Sequence, residues 1–144
     1  LALKDKIAGK DLFAEAEDVL TGPGLLSLYK AVAENPVHVT PEAVLQAALA
    51  GADAAAEKTL DHFMTFLARA SGDVGMALQA RGGVYLAGGI APSIAAKLQQ
   101  PKYRAVFEDK GRIAEVMKPI PWFVITDRFP AFKGCAAALA AMGE

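Results

Sequence analysis

Apolar residues recur along the chain at two spacings, one typical of helices and one typical of short strands. The longest periodic stretch begins at Thr40-Pro41, where Thr is a good helix N-cap and Pro fits the first helical position. Its apolar positions form one stripe with a period near 3.6. These positions are 44, 45, 48, 49, 52, 55, 56, 60, 63, 64 and 67. This pattern predicts one long helix that breaks or kinks at Ser71-Gly72, with a second helix continuing to about Gln79.

Shorter helices are predicted on both sides of this stretch. Residues 3–19 are mixed and helical in part, and the strong breaker cluster at residues 21–24 ends them. Residues 37–39 form a short extended bridge. The remaining predicted helices cover residues 25–33, 92–99, 103–107, 113–117 and 134–142.

Two short apolar runs predict strands, because they are too short for helices. They are Val84-Tyr85-Leu86-Ala87, which lies between glycine pairs, and Trp122-Phe123-Val124-Ile125, which lies between prolines. Helices separate the two runs, which favours a parallel crossover pairing. The predicted fold class is therefore α/β, predominantly helical with a small sheet. Two strands alone make a poor sheet, so we expect partner strands outside this chain.

The composition fits a folded protein and narrows its partners. The chain has 144 residues, 53% of them apolar and 22% charged, which excludes a disordered tail. Its net charge of −1 argues against a nucleic-acid surface or a polybasic membrane patch. No apolar run reaches the ~18 residues of a membrane-spanning helix. The single cysteine, Cys135, excludes an intramolecular disulfide and fits a reducing compartment.

The first candidate site is the glycine pair Gly88-Gly89, which follows a predicted buried strand and precedes the helix that begins at Pro92-Ser93. Glycine lets a ligand approach the backbone closely, and a helix N-terminus attracts anions. Ligands also bind at the carboxyl ends of strands in open α/β sheets. The pair is therefore a candidate nucleotide contact, and a tight strand-to-helix turn is the alternative.

The second candidate is Glu17, which precedes the rigid segment Thr21-Gly22-Pro23-Gly24. A carboxylate there could accept hydrogen bonds from substrate hydroxyls, and a solvated acid beside an ordinary turn is the alternative.

Other residue types give weaker signals. His38 and His62 are far apart and have no cysteine at a metal-ligand spacing, so no metal site is predicted. We expect His62 to be structural, His38 to be a surface or turn residue, and Cys135 to be buried among alanines. The charged run at residues 108–112 is expected to be a solvated turn with local ion pairs.

Three ordered motifs resemble the bacterial ATP-dependent glucokinases. The segment Glu17-Asp18-Val19-Leu20-Thr21-Gly22-Pro23-Gly24-Leu25, with Leu28-Tyr29, is similar to E-x-V-L-S-G-P-G-L-x-x-L-Y of that family. Residues 82–90 resemble G-G-V-[FY]-[IL]-A-G-G-I, and residues 104–112 resemble R-A-x-F-E-D-K-G-R. Two departures are Thr21 in place of the commoner Ser and Asp73 where the family often has Asn.

This resemblance implies a fold, a reaction and site residues. The fold would be part of the large domain of an actin-like, hexokinase-like ATPase. The reaction would transfer the γ-phosphoryl group of ATP, with Mg²⁺, to the 6-hydroxyl of D-glucose in glycolysis. Glu17 matches the sugar-binding glutamate, and Gly88 and Gly89 match the pair that contacts the adenosine part of ATP. Thr21 and Gly22 would lie in the loop that lines the nucleotide side.

The resemblance covers the C-terminal half of the family, so residues 1–144 are expected to be a fragment of the large domain. The chain begins at Leu1 rather than Met, which fits this expectation. The 144 residues do not contain the family's D-x-G-G-T-N phosphate loop, its catalytic aspartate or its G-E-G-G-H sugar motif. No catalytic residue is therefore assigned, and the chain alone is expected to be inactive.

The resemblance also implies a cytoplasmic enzyme that forms a homodimer. Two alternatives remain open at this point. One is a sugar- or nucleotide-sensing module of a transcription regulator with the same fold. The other is an interaction domain with a degenerate site.

Overall fold

The computed structural model describes residues 15–127 and 129–142. The chain divides into two compact units, with the boundary between Gly72 and Asp73. The helices are α1 (Gly22–Val32), α2 (Pro41–Ala50), α3 (Ala54–Ala77), α4 (Ala91–Leu98), α5 (Pro101–Glu108), α6 (Ala114–Met117) and α7 (Pro130–Met142). The strands are β1 (Val84–Leu86) and β2 (Trp122–Val124), and 3₁₀ turns form at Ala16–Asp18 and Gly111–Ile113.

The first unit is built from helices whose apolar stripes meet. Helix α1 packs on α2, and both begin with a threonine N-cap followed by a proline in the first turn. The buried side chains of this unit include Leu25, Leu28, Tyr29, Val44, Leu60, Phe63 and Met64. The predicted apolar stripe is thus confirmed as a core face for most of its positions.

The predicted long helix is wrong in where it breaks. Helix α2 ends at Gly51, which has a φ of 67° and so adopts the left-handed conformation that glycine tolerates at a helix end. Asp53 then starts α3, since its Oδ1 accepts hydrogen bonds from the N–H groups of Ala55 at 2.8 Å and Ala56 at 3.2 Å. Helix α3 runs through Ser71 and Gly72 without a break, and the Ser71 hydroxyl donates to the Leu67 carbonyl within it.

The second unit contains the sheet, and its pairing confirms the prediction. Strands β1 and β2 are parallel, and Val84 pairs with Trp122 while Leu86 pairs with Val124. Its core cluster is Phe107, Met117 and Ile120, with Met76, Val84 and Trp122 packed against it. The strand predicted as buried is only half-buried, since Tyr85 is 58% exposed on its outer face.

Helix α7 begins four residues earlier than predicted, at Pro130, and none of its residues is buried. Cys135 is therefore exposed, and the expectation of a buried cysteine is wrong. The part of the first predicted helical segment over residues 3–14 lies outside the described residues. None of the helices in the described part of the chain combines the length and apolar character that a membrane span requires.

Candidate functional site

Glu17 lies in the 3₁₀ turn Ala16–Asp18, directly ahead of α1, and its side chain is exposed. The turn is closed at its start by the neighbouring acids, because the Glu15 N–H donates to Oδ2 of Asp18 at 2.8 Å. The Leu20 N–H donates to the Ala16 carbonyl at 2.7 Å, which closes the turn at its end. The sequence thus presents the Glu17 carboxylate on a turn whose backbone is hydrogen-bonded at both sides.

The Thr21 hydroxyl connects this turn to α1. It donates to the Glu17 carbonyl at 2.9 Å and accepts from the Gly24 N–H at 3.0 Å. The second bond is an N-cap, which satisfies one of the free N–H groups at the helix start. A hydroxyl has one proton and two lone pairs, so one lone pair is left for a further partner.

Gly24 is buried where the turn and the helix meet. A Cβ at this position would lie 2.7 Å from the carbonyl carbon and oxygen of Val19 and 2.8 Å from the carbonyl oxygen of Asp18. Any side chain would therefore push the backbone of the turn away. The breaker cluster predicted at residues 21–24 is instead the cap and first turn of α1, since Thr21 and the proline at the helix start favour that role.

Gly88 and Gly89 lie between β1 and α4, in the second unit. Gly88 has a φ of 118°, a conformation that side-chain-bearing residues rarely adopt. In the part of the chain that the structure describes, a Cβ at either glycine would meet no atom within 4 Å, so open space lies over both. Helix α4 begins at Ala91 without a side-chain cap, with Pro92 in its first turn.

The predicted site residues therefore fall into two groups. Glu17, Thr21 and Gly22 lie together at the start of α1 in the first unit, and Gly88 and Gly89 lie together after β1 in the second. Within residues 15–127 and 129–142, nothing lies within 4 Å of a Cβ placed at either glycine of the second group.

His38 takes part in a polar cluster that the sequence did not indicate. Its Nε2 lies 3.3 Å from Oδ2 of Asp53, and the Tyr29 hydroxyl donates to the same oxygen at 2.7 Å. Burial, and then the hydrogen bond to Asp53, raises the pKa of Tyr29, and that hydrogen bond lowers the pKa of Asp53. His38 is thus a partner of a helix-capping aspartate rather than a simple surface residue. The sequence Gly51-Ala52-Asp53 is a helix stop followed by a helix start, and this signal could have located the aspartate.

The charged run at residues 108–112, predicted to be a solvated turn, is in part buried and paired. Lys110 is buried and pairs with Asp73, and Arg104 binds Glu108 and three backbone carbonyls. His62 is half-buried and stacks on Phe66, which fits a structural role. Across residues 15–127 and 129–142, no group of three or more His, Cys, Asp or Glu side chains could hold a metal ion.

Comparison with known proteins gives one consistent family. A family model described as Glucokinase matches residues 7–142. The glucokinase of Rhizobium meliloti (strain 1021) is 43% identical over 125 residues, which cover 84% of this chain and 37% of that protein. The glucokinase of Chelativorans sp. (strain BNC1) is 40% identical over 137 residues, which cover 92% of this chain and 39% of that protein. The chain thus spans well under half the length of these relatives.

Two solved structures share the fold. A crystal structure of glucokinase from an Antarctic psychrotroph superposes with a TM-score of 0.80 at 27% identity, covering 94% of this chain and 44% of that one. Glucokinase from Balamuthia mandrillaris, solved in complex with glucose, gives a TM-score of 0.74 at 25% identity, covering 87% and 36%. The mostly helical chain with its small parallel sheet therefore has the fold of one part of these larger proteins, as the predicted fold class required.

Proposed function

The chain belongs to the glucokinase family, and we propose that it is the C-terminal, large-domain part of a kinase that transfers the γ-phosphoryl group of ATP to the 6-hydroxyl of D-glucose. The observation that carries this proposal is the family match over residues 7–142, which includes both groups of candidate site residues. No observation favours the alternative of a sugar-sensing module of a transcription regulator.

In this proposal Glu17 is the sugar-binding residue. Its exposed carboxylate sits on a turn held by hydrogen bonds on both sides. A carboxylate has two acceptor oxygens, so Glu17 can accept hydrogen bonds from two sugar hydroxyls. A sugar that lacks one of those hydroxyls would leave the acceptor unpaired, which supports discrimination among sugars.

Gly88 and Gly89 are proposed to contact the nucleotide, and Thr21 and Gly22 are proposed to lie in a loop on the nucleotide side, as the family resemblance implies. The open space over both glycines fits a ligand that lies against the backbone. Bound ATP with Mg²⁺ would supply the phosphoryl group and neutralise its charge. We place the Mg²⁺ on the ATP phosphates rather than on a ligand set of the described residues, since this ion is commonly held through substrate phosphates.

The catalytic aspartate and the phosphate loop belong to motifs that the 144 residues do not contain. We therefore propose that this chain supplies binding surfaces and no general base. A coupled assay of the purified chain is expected to show no ATP-dependent phosphorylation of glucose. Phosphorylation by the chain alone would overturn this assignment.

Calorimetric titration tests the sugar assignment. Glucose should bind the chain saturably, and Glu17→Gln should weaken binding by about tenfold, because a charged acceptor is replaced by a neutral one. Glu34→Gln, a change at another exposed glutamate of the same unit, should leave the affinity unchanged. Equal affinities of the wild type and Glu17→Gln would refute the role of Glu17.

A matched pair of glycine variants tests the nucleotide assignment. Neither Gly89 nor Gly82 has a positive φ, and a Cβ at either meets no atom within 4 Å, so both positions accept alanine. Gly89→Ala should weaken ATP binding and Gly82→Ala should not. If both variants bind ATP like the wild type, the glycine pair is only a strand-to-helix turn.

The family resemblance also supports a homodimer in the cytoplasm as part of this proposal. Sedimentation equilibrium should then give twice the chain mass of 15.1 kDa. A single species at the chain mass would contradict the dimer for this chain.

A further inference from the structure

We propose that the Thr21 hydroxyl positions Glu17 for sugar binding, acting through the Glu17 carbonyl rather than by contact with the sugar. This inference rests on the proposed function, since Glu17 is its proposed sugar ligand. Thr21 is therefore a positioning residue. Three observations carry the inference, and they are the two hydrogen bonds of the hydroxyl, the close packing at Gly24 and the exposure of Glu17.

The two hydrogen bonds require one oxygen atom both to donate and to accept. The hydroxyl donates its proton to the Glu17 carbonyl and receives the Gly24 N–H on a lone pair. Only a side chain with both a donor and an acceptor on the same short stem can join the turn to the helix in this way. Serine meets this requirement, which accounts for the serine that the resembling family motif commonly has at this position.

Gly24 provides the second point of attachment. Because its missing Cβ would lie 2.7 Å from the Val19 carbonyl group, the turn packs directly on the first turn of α1. The turn is thereby attached to α1 at two points, the Glu17 carbonyl through Thr21 and the Asp18 and Val19 carbonyls through Gly24. The Glu17 side chain itself is exposed, so its orientation depends on this backbone attachment rather than on packing of its own.

Four variants separate positioning from simple stability. Thr21→Val keeps the side-chain shape and loses both hydrogen bonds. Thr21→Ser keeps both. Thr21→Asp keeps the helix cap, since a carboxylate accepts from an N–H, but cannot donate to the Glu17 carbonyl. Thr40→Val is the matched control, because Thr40 caps α2 through the Ala43 N–H at 3.2 Å and lies on a different helix from Glu17.

Nuclear magnetic resonance of the 144-residue chain tests the attachment directly. Thr21→Val should shift the Glu17 carbonyl carbon resonance and speed exchange of the Gly24 amide by about tenfold. Thr21→Asp should shift the Glu17 carbonyl resonance while the Gly24 amide stays protected. Thr21→Ser and Thr40→Val should leave both signals unchanged. A Glu17 carbonyl resonance that is the same in all four variants would overturn the inference.

Glucose titration of the same proteins tests the consequence for binding. Thr21→Val should weaken glucose binding by roughly three- to tenfold, and Thr21→Ser should restore it. Thr40→Val should lower the Tm to a similar extent as Thr21→Val without changing glucose affinity. Equal losses of affinity in Thr21→Val and Thr40→Val would reduce Thr21 to an ordinary cap and overturn the inference. No glucose binding by the wild type would refute the sugar site, while the resonance data would still decide the attachment.

Discussion

Lys110 and Asp73 form an ion pair in which the lysine is buried and the aspartate faces solvent. The Lys110 Nζ lies 2.8 Å from Oδ1 of Asp73, and the two side chains are 6% and 60% exposed. Burying an ammonium group is costly unless an acceptor compensates for its lost hydration. This pair therefore holds the middle of the charged segment at residues 108–112 against the last turns of α3.

Removal of the acceptor should destabilise the protein more than the loss of an exposed ion pair. Asp73→Ala is expected to lower the free energy of unfolding by about 1–3 kcal/mol in urea titrations. Asp73→Asn should lower the free energy of unfolding by less, because the amide keeps an acceptor oxygen. The family that the motifs resemble often has Asn at this position. Glu115→Ala breaks the exposed pair with Lys118, 2.7 Å in length, and should cost under about 1 kcal/mol. Equal losses from Asp73→Ala and Glu115→Ala would contradict the role of burial.

Arg104 joins α5 to the segment that leads into β2. Its Nη1 donates to the Ile120 carbonyl at 2.9 Å, and its Nη2 donates to the Met117 carbonyl at 3.1 Å and the Lys118 carbonyl at 3.0 Å. Its Nε donates to Glu108 at 2.6 Å. The flat guanidinium reaches all four acceptors at once, whereas an ammonium is a compact point donor.

Arg104→Lys is therefore expected to be destabilising although it conserves charge. We expect a loss of about 2–3 kcal/mol in the free energy of unfolding, since several carbonyl acceptors lose a charged donor. Arg112→Lys, at an exposed position nearby, should change stability by less than about 0.5 kcal/mol. Thermal and urea unfolding of both variants will measure the contrast. A stable Arg104→Lys protein would mean that water replaces the guanidinium at little cost.

Local patterns in the sequence were sufficient to predict those elements whose ends are fixed by adjacent residues. Thr40-Pro41 correctly located the start of α2, because a cap and a following proline act within one helical turn. The parallel pairing of β1 and β2 was also predicted, since the intervening helices leave few other connections. The glycine pair Gly88-Gly89 lies at the end of β1, as predicted, while the sugar-binding role of the exposed Glu17 stays a prediction.

Long-range contacts account for what the sequence did not predict. Asp53 appears as one acid in an alanine-rich run, but its two oxygens cap α3 and bind Tyr29, which is 24 residues away. Apolar periodicity alone predicted one continuous helix through residues 51–53, because alanines on both sides maintain the apolar spacing. Likewise, Lys110 lies in a charged run that appears solvated, but its side chain is buried and pairs with Asp73, which is far away in sequence.

The exposure of Cys135 gives a direct chemical test of the position of α7. No residue of this helix is buried, so the thiol should react in the folded protein. We expect labelling by a maleimide at a rate within about threefold of that in urea, since access rather than burial then governs the reaction. A folded protein that reacts far more slowly would show that α7 is covered, for example by a second copy of the chain.

The Tyr29–Asp53 hydrogen bond should make stability depend on acid pH. The Tyr29 hydroxyl lowers the pKa of the Asp53 carboxyl in the folded protein. A carboxyl with a lowered folded-state pKa stabilises the fold above its unfolded pKa, and this stabilisation is lost as pH falls through the folded value. Tyr29→Phe should therefore destabilise the protein most at neutral pH, and the difference from wild type should shrink below about pH 4.

Tyr85→Phe is the matched control for this pH dependence. The Tyr85 hydroxyl donates to the Gly82 carbonyl at 3.2 Å, and a carbonyl does not titrate. The difference in the free energy of unfolding between Tyr85→Phe and wild type should therefore stay constant when urea unfolding is measured between pH 7 and pH 3. If the Tyr29→Phe difference is equally constant, the hydrogen bond does not favour the ionised form of Asp53. A difference that narrows only for Tyr29→Phe identifies the carboxylate as the group whose protonation releases the contact.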